Sequence, residues 1–110
     1  MPDKKGKPTE SEIQRDIKRY LQATGWFVYK VQQGALSYKG ISDLTGVKNG
    51  HTVHIEIKKP TGKQSDYQKQ FESDIKDHGG QYVILKSLDD AIKLNEQAIK
   101  KWGIPAMITI

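Results

Sequence analysis

The sequence predicts a single α/β domain with elements in the order α-β-β-β-α-β-α around one small mixed sheet. Two capping boxes, each followed by apolar residues at helical spacing, predict amphipathic helices. Short runs of aromatic and β-branched residues between them predict strands. The dipeptide Asn49-Gly50 separates two of these runs and is the strongest short-range signal for a β-hairpin. A length of 110 residues is sufficient for one core and too short for two.

The charge and the lack of cysteine indicate which kinds of partner and which kinds of site are expected. The chain carries 18 Lys and Arg against 13 Asp and Glu, a net charge of +5, so a nucleic acid is the leading partner. It has no cysteine, which excludes a disulfide scaffold, a thiolate zinc site and a cysteine nucleophile. No apolar run approaches the ~18 residues that span a membrane, and the polar residues after Met1 do not resemble a signal peptide. We expect an intracellular protein with no membrane partner and no small-molecule cofactor.

The first part of the chain is predicted to hold a basic arm, a helix and a strand. Residues 1–8 include two prolines, a glycine and three lysines, which is typical of a flexible arm. Thr9 and Glu12 form a capping box that starts the helix, and Gly25 is placed to end it. The strand 26–31 follows. Its aromatic residues are expected to lie in the core rather than to stack on bases: Trp26, Phe27 and Tyr29.

The second part is predicted to alternate strands and helices. Strands 41–48 and 51–58 flank the Asn49-Gly50 turn. A capping box at Ser65 and Gln68 starts the second helix, a strand covers 81–86, and a third helix runs from Ser87 to about residue 101. We expect one folded domain over 9–101. The apolar tail 102–110 belongs either to the core or to a subunit interface.

The hairpin places two carboxylates opposite each other. A two-residue turn pairs Lys48 with His51, and counting back along both strands brings Asp43 opposite Glu56. Directly opposed residues have Cβ atoms roughly 4.5–5.5 Å apart, so the two carboxylates repel each other unless a cation lies between them. Mg²⁺ prefers oxygen ligands and is commonly held by one or two carboxylates. The register therefore predicts a divalent metal site at Asp43 and Glu56.

Side-chain alternation adds a lysine to this site. Val53, Ile55 and Ile57 point to one face and are expected in the core, whereas His54, Glu56 and Lys58 point to the other. Lys58 can orient or deprotonate an attacking water and offset charge on a phosphate. The alternative interpretation is that these are ordinary solvated charges on an exposed hairpin face. His54 is expected to be a bystander.

Four features in this order resemble the PD-(D/E)XK nuclease superfamily: a glutamate on the first helix, Gly40-Ile41-Ser42-Asp43, Glu56-Ile57-Lys58, and a capped helix that bears Gln68. Within the superfamily, the chain from about residue 9 to 92 is most similar to the small stand-alone VRR-NUC (virus-type replication-repair nuclease) domains. The resemblance implies a restriction-endonuclease-like core. Ser42 stands where the superfamily pattern has proline, a difference that affects loop rigidity more than chemistry.

The resemblance also implies a role for each matching residue. Asp43, Glu56 and the main-chain carbonyl of Ile57 would bind Mg²⁺ or Mn²⁺. Lys58 would act on the nucleophilic water, and Gln68 would support the site by hydrogen bonding. Gln64 is the poorer match for that supporting amide, because it precedes the N-cap residue.

The helix-borne glutamate has two candidates. Glu10 shares the inward stripe of Ile13 and Ile17, whereas Glu12 is explained by the capping box. Glu10 is therefore the expected site residue, with contact to the metal through a water.

These matches imply a metal-dependent endonuclease that hydrolyses DNA phosphodiester bonds. They further imply a homodimer that acts on branched DNA such as a four-way (Holliday) junction, in the cytoplasm of a bacterial or phage-infected cell. Residues near the site in the sequence are candidate DNA contacts, with a solvated surface lysine or ordinary turn glycine as the alternative for each: Lys39, Lys59, Lys63 and Gly40. A flap or nicking nuclease, a non-catalytic DNA-binding module and a structural subunit of a repair or replication assembly stay open.

Overall fold

The computed structural model describes residues 7–34 and 38–103. Three helices and four strands are found there, in the predicted order. The helices are α1 (Glu10–Ala23), α2 (Asp66–Asp77) and α3 (Leu88–Trp102), and the strands are β1 (Phe27–Lys30), β2 (Leu44–Lys48), β3 (His51–Ile57) and β4 (Gln81–Leu85). Most of the predicted basic arm and of the apolar tail lies outside the described residues. Trp102, the first residue of that tail, packs against the rings of Trp26 and His51.

The four strands form one mixed sheet in the order β1-β2-β3-β4. β1, β2 and β3 are antiparallel neighbours, and β4 lies parallel to β3. Lys48 pairs with His51 and Leu44 with Ile55, so the register predicted from the two-residue turn is confirmed. Asn49 and Gly50 have φ values of 49° and 83°, the left-handed pair that a type I′ hairpin turn requires.

Both predicted capping boxes are present. The Thr9 amide donates to Glu12 at 2.8 Å while the Glu12 amide donates to the Thr9 hydroxyl. Ser65 and Gln68 make the same reciprocal pair at the start of α2. Each box satisfies amides that have no partner inside the helix, and this is why both helices begin where the sequence predicts. Within the described residues no helix is long and apolar enough to cross a membrane.

The hydrophobic core lies on one face of the sheet, beneath α1 and α3. Ile13, Ile17 and Leu21 of α1 are buried against the inward residues of the strands, among them Leu44, Ile55 and Ile57. Burying each such side chain contributes about 1.5–3 kcal/mol. The predicted inward set of β3 is therefore confirmed.

The prediction for the aromatic residues of the first strand is wrong in two of three cases. Trp26 is buried, but Phe27 and Tyr29 are 67% and 45% exposed. Alternation along β1 explains the difference, since Val28 points into the core and its two neighbours point to the opposite face.

The predicted start of the second strand is also wrong. β2 begins at Leu44 rather than at Ile41. The main-chain carbonyl of Asp43 still accepts a hydrogen bond from Val31 at 2.9 Å, but its side chain turns towards β3 and accepts from the Ile57 amide at 2.8 Å. The carboxylate thus takes a hydrogen bond that the main chain of a longer strand would have made, and pairing ends there.

Candidate active site

Asp43 lies at the open end of the hairpin and is held from three directions. Its main-chain carbonyl accepts a hydrogen bond from the Val31 amide, and its Oδ2 accepts one from the Ile57 amide. Its Oδ1 accepts from Nε2 of Gln33 at 3.3 Å. Two donors therefore orient the carboxylate, one from β3 and one from the loop after β1, and a third fixes the main chain of Asp43.

Glu56 is a buried carboxylate with one oxygen unsatisfied. Only 1% of the residue is exposed, because α2 covers this part of the sheet. Oε2 accepts from Nε2 of Gln68 at 2.8 Å and lies 3.6 Å from the Lys58 amine. Oε1 is buried and has no hydrogen-bond partner among the described residues. The alternative of solvated charges on an exposed hairpin face is therefore wrong for this residue.

The surroundings of Glu56 disfavour its negative charge. Burial raises the pKa of Glu56 from 4.5 to about 8, and the neighbouring Asp43 carboxylate adds to the rise. The positive charge of Lys58 opposes it in part, and Glu10 raises it slightly further. The positive charge of Lys58 only partly offsets burial and repulsion, so a bound divalent cation would stabilise the charged form of Glu56.

Lys58 and Gln68 reach the carboxylates from different elements. Lys58 follows β3 directly and lies on the same face as Glu56, with only 14% of its side chain exposed. Gln68 donates to Glu56 while its Oε1 accepts from the Ser65 amide, so the capping box of α2 also fixes the orientation of this amide. Gln64 instead donates to Oε1 of Glu72 and to the Tyr82 hydroxyl. The structure thus brings Gln68, rather than Gln64, to Glu56.

The two candidate glutamates of α1 differ in what they contact. Glu12 holds the Thr9 amide in the capping box. Glu10 is exposed at the first position of α1, and its charge acts on Glu56. Glu10 is thus the one of the two whose charge is linked to the carboxylates.

The residues present fit a hard divalent cation. Asp43 and Glu56 supply two carboxylates, and the unpartnered Oε1 of Glu56 is an available ligand. The N–H and C=O of one residue point to the same side of a strand, so the Ile57 carbonyl is directed to the side on which its amide meets Asp43. Within residues 7–34 and 38–103 no three His, Cys, Asp or Glu side chains converge. Mg²⁺ is usually held by one or two carboxylates, so this set is sufficient for it.

Sequence reasoning missed the other wall of the site. A cleft of about 300 Å³ opens beside Asp43 and is lined by Gln14, Lys30, Val31, Gln32 and Gln33. Two features of the sequence could have placed these residues near the site. Gln14 follows Glu10 by one helical turn and so shares its face of α1. Lys30 ends β1, which pairs with β2 next to Asp43, and Gln33 follows three residues later in the loop.

Comparisons with known proteins agree with this architecture at the level of fold. No protein-family profile and no curated protein matches the sequence. Among solved structures, a VRR_NUC domain protein superimposes with a TM-score of 0.73, 20% identity and coverage of 94% of this chain and 100% of that one. A second structure, described as a VRR_NUC domain, gives a TM-score of 0.66 at 21% identity over 84% and 96% of the two chains. The chain has the fold of a VRR-NUC domain.

A third solved structure extends the comparison to a resolvase. Hjc of Archaeoglobus fulgidus, a Holliday junction resolvase from an archaeal hyperthermophile, gives a TM-score of 0.55 at 16% identity, over 70% of this chain and 67% of that one. The predicted restriction-endonuclease-like fold is confirmed by these matches.

The candidate DNA contacts occupy different positions in this VRR-NUC fold. Lys59 and Lys63 are exposed in the segment after Lys58. The Lys39 amine lies 4.9 Å from the centre of the Tyr67 ring. Gly40 has φ of 79°, and a Cβ there would lie 2.2 Å from the Tyr67 carbonyl oxygen. A glycine at position 40 is therefore explained by packing, because the loop that leads to Asp43 lies directly against the first turn of α2 and leaves no room for a side chain.

Proposed function

We propose that this chain is a metal-dependent endonuclease that hydrolyses phosphodiester bonds in DNA. The observation that carries the proposal is the buried Glu56, whose Oε1 has no partner among the described residues and whose neighbours are the Asp43 carboxylate and the Lys58 amine. A buried carboxylate in this state destabilises a protein unless it serves a ligand or a reaction. The fold shared with VRR-NUC domains supports the same function.

Each residue then has a defined task. Asp43, Glu56 and the Ile57 carbonyl would hold Mg²⁺ or Mn²⁺, with Glu10 in contact through a water. When bound, the cation supplies positive charge that offsets the charge on the scissile phosphate and makes a nearby water more acidic. Lys58 orients that water and takes part in the transfer of its proton. Gln68 donates to Oε2 of Glu56, so Oε1 is the oxygen that would be available to the cation.

The proposed substrate is branched DNA, with a four-way junction as the best candidate. The third solved structure, which shares this fold, is a Holliday junction resolvase, and the net charge of +5 suits a polyanion. One described chain carries one pair of site carboxylates, so paired cuts in a junction require two copies. A homodimer with two-fold symmetry would present its two sites to symmetry-related strands.

A cleavage panel tests both the reaction and the substrate. Duplex, flap, fork and four-way junction DNA are incubated with the protein in Mg²⁺ and in chelator. We expect Mg²⁺-dependent cutting with paired cuts in the junction. Cutting of flaps or single nicks alone would instead favour the flap or nicking nuclease, and indiscriminate cutting of linear duplex would reject the junction preference while retaining the nuclease.

Variants separate catalysis from binding in the same panel. Asp43→Ala is expected to abolish cleavage while folding and DNA affinity stay close to wild type, and Glu96→Ala is the matched control because Glu96 is an exposed carboxylate on α3. Full activity of Asp43→Ala would reject the assignment. DNA binding without cleavage by the wild type would favour a non-catalytic module, and neither binding nor cleavage would favour a structural subunit.

A further inference from the structure

An exposed tyrosine lies next to the candidate site and has no task in the proposed function. Tyr67 is 58% exposed and directly precedes Gln68, whose amide donates to Glu56. Its carbonyl oxygen lies against Gly40, so closely that a Cβ there would be 2.2 Å away. The main chain of Tyr67 is therefore fixed between the loop that leads to Asp43 and the amide that supports Glu56.

Packing does not explain an aromatic side chain at this position. The ring of Tyr67 is contacted by the Lys39 amine, which lies 4.9 Å from its centre and 3.5 Å from its hydroxyl, and such an exposed cation–π contact contributes little to stability. No ring of the described residues pairs with it. Tyr38 differs, because its ring packs on Phe71 and its hydroxyl donates to Asp74.

The same rim of the site carries further positive charge. Lys59 and Lys63 are exposed in the segment that joins Lys58 to α2. This segment stays close to the site, since a Cβ at Gly62 would lie 3.5 Å from Cδ of Lys58. Lysine is depleted at the centres of protein interfaces, whereas a ring among lysines is typical of surfaces that bind single-stranded nucleic acid. The composition of this rim therefore favours a nucleic acid over a protein partner.

A tyrosine ring selects one feature of DNA. It can stack on a base only where one face of that base is free, and in a continuous duplex the neighbouring base pairs cover both faces. Stacking is interrupted at a flap, at a fork and at the crossover of a junction. An exposed ring beside the site thus separates branched DNA from linear duplex without reading the sequence.

We propose that Tyr67 is a specificity-determining residue that stacks on an unstacked base at the branch point of the DNA substrate. Lys39 holds the ring and offsets the charge of a neighbouring phosphate. That the ligand is DNA rests on the proposed function, but the stacking itself needs neither metal nor cleavage.

Binding of the whole chain in chelator tests this residue. The probes are a DNA fork with 2-aminopurine in the single-stranded arm at the branch point, and a linear duplex of the same length. Tyr67→Leu removes the ring and Tyr67→Phe keeps it. Phe27→Leu is the control, because it removes a ring of similar exposure, 67%, from β1.

The fork and the duplex are expected to respond differently. The dissociation constant for the fork should be about 5- to 150-fold weaker in Tyr67→Leu, the range for loss of one base–aromatic stack, and close to wild type in Tyr67→Phe and Phe27→Leu. Affinity for the duplex should be unchanged in all three. Fluorescence of 2-aminopurine should be quenched by wild type and by Tyr67→Phe but not by Tyr67→Leu. Circular dichroism shows whether each variant is folded, and an unfolded Tyr67→Leu is replaced by Tyr67→Gln.

Three results would overturn the inference. They are a wild type that does not bind the fork, a Tyr67→Leu protein that binds it as tightly as wild type, and an equal loss of affinity for fork and duplex. Mg²⁺-dependent cleavage combined with fork binding that ignores Tyr67 would reject the stacking and retain the nuclease. Conversely, fork binding that depends on Tyr67 without any cleavage would reject the nuclease and retain the stacking.

Discussion

The two ends of the β2–β3 hairpin each bury a charged side chain, but with opposite outcomes. Lys48, beside the turn, is 4% exposed and fully engaged: its amine donates to the Thr24 carbonyl at 2.6 Å and to Oδ1 of Asn95 at 3.1 Å, and lies 5.8 Å from the Trp26 ring. Glu56, at the open end, is 1% exposed, has one oxygen without a partner among the described residues and is repelled by Asp43.

The comparison shows how to separate a structural buried charge from a functional one. The polar groups around Lys48 satisfy each other's hydrogen bonds, since Oδ1 of Asn95 also accepts from the Trp26 indole at 2.9 Å. The groups around Glu56 do not supply enough positive charge to offset its burial and the repulsion from Asp43. A buried polar group with all its hydrogen bonds made is compatible with a purely structural role, whereas one without a partner is a candidate for binding a ligand.

The largest expected effect is on catalysis at the open end. Under the proposed function Lys58→Ala removes the amine that would act on the water, so the single-turnover rate of junction cleavage in Mg²⁺ should fall roughly 10²–10⁴-fold. Lys93→Ala, at an exposed lysine of α3, should leave the rate unchanged. A Lys58→Ala rate within threefold of wild type would show that this lysine has no catalytic task.

Neutral replacements at the two ends should change stability in opposite directions. Lys48→Met removes the lysine donor of the Thr24 carbonyl and leaves Oδ1 of Asn95 with the Trp26 indole alone, so the free energy of unfolding should fall by about 1–3 kcal/mol. Glu56→Gln removes the repulsion from Asp43 and should stabilise the metal-free protein at pH 9. Urea denaturation in chelator measures both. Destabilisation of both variants by similar amounts would contradict the distinction between the two ends.

The pH dependence of stability sharpens the same contrast. The pKa of Glu56 is raised from 4.5 to about 8 in the folded protein, so over this range the folded state holds a proton that the unfolded chain has released. The free energy of unfolding contributed by Glu56 therefore falls as the pH rises from about 4.5 to about 8, and is constant above that. Melting temperatures in chelator at pH 5, 7 and 9 should decline more in the wild type than in Glu56→Gln.

Metal should reverse this loss at high pH. Addition of Mg²⁺ at pH 9 is expected to raise the melting temperature of the wild type, because binding to the folded state stabilises it, and to have a smaller effect on Glu56→Gln. Equal shifts in both proteins would place the bound metal elsewhere.

The smallest expected effect concerns the support of Asp43. Gln33 donates to Oδ1 of Asp43 from an exposed loop, so Gln33→Ala should weaken Mg²⁺ affinity by about tenfold, at the low end for a residue that supports a metal ligand. Gln22→Ala, at an exposed glutamine of α1, is the control. Isothermal titration with Mg²⁺ gives the affinities, and a Gln33→Ala affinity equal to that of the control would show that the hydrogen bond does not orient the carboxylate.

Several features of the fold and site were predictable because their causes are local. The capping boxes at Thr9 and Ser65 start helices through contacts within four residues. The Asn49-Gly50 turn sets a strand register that extends back to Leu44 and Ile55, the neighbours of Asp43 and Glu56, because pairing in a hairpin propagates from the turn. Side-chain alternation then places Lys58 with Glu56.

Other features depend on which surfaces meet, and the sequence does not contain that information locally. Phe27 and Tyr29 have the composition of core residues, yet they lie on the face of the sheet away from α1 and α3, and Phe71 of α2 contacts His54 and Tyr82 rather than their rings. Gln33 approaches Asp43 from a loop whose path is set by β1.

The sequence by itself therefore determined the order of the elements and the hairpin register, and it named the candidate site residues. Only the tertiary structure decided that Glu56 is buried beneath α2, that Gln68 satisfies one of its oxygens and that the other has no partner among the described residues. The physical reason is that hydrogen bonds near a turn or a cap depend on neighbours in the chain, whereas desolvation of a charge depends on every segment that packs around it.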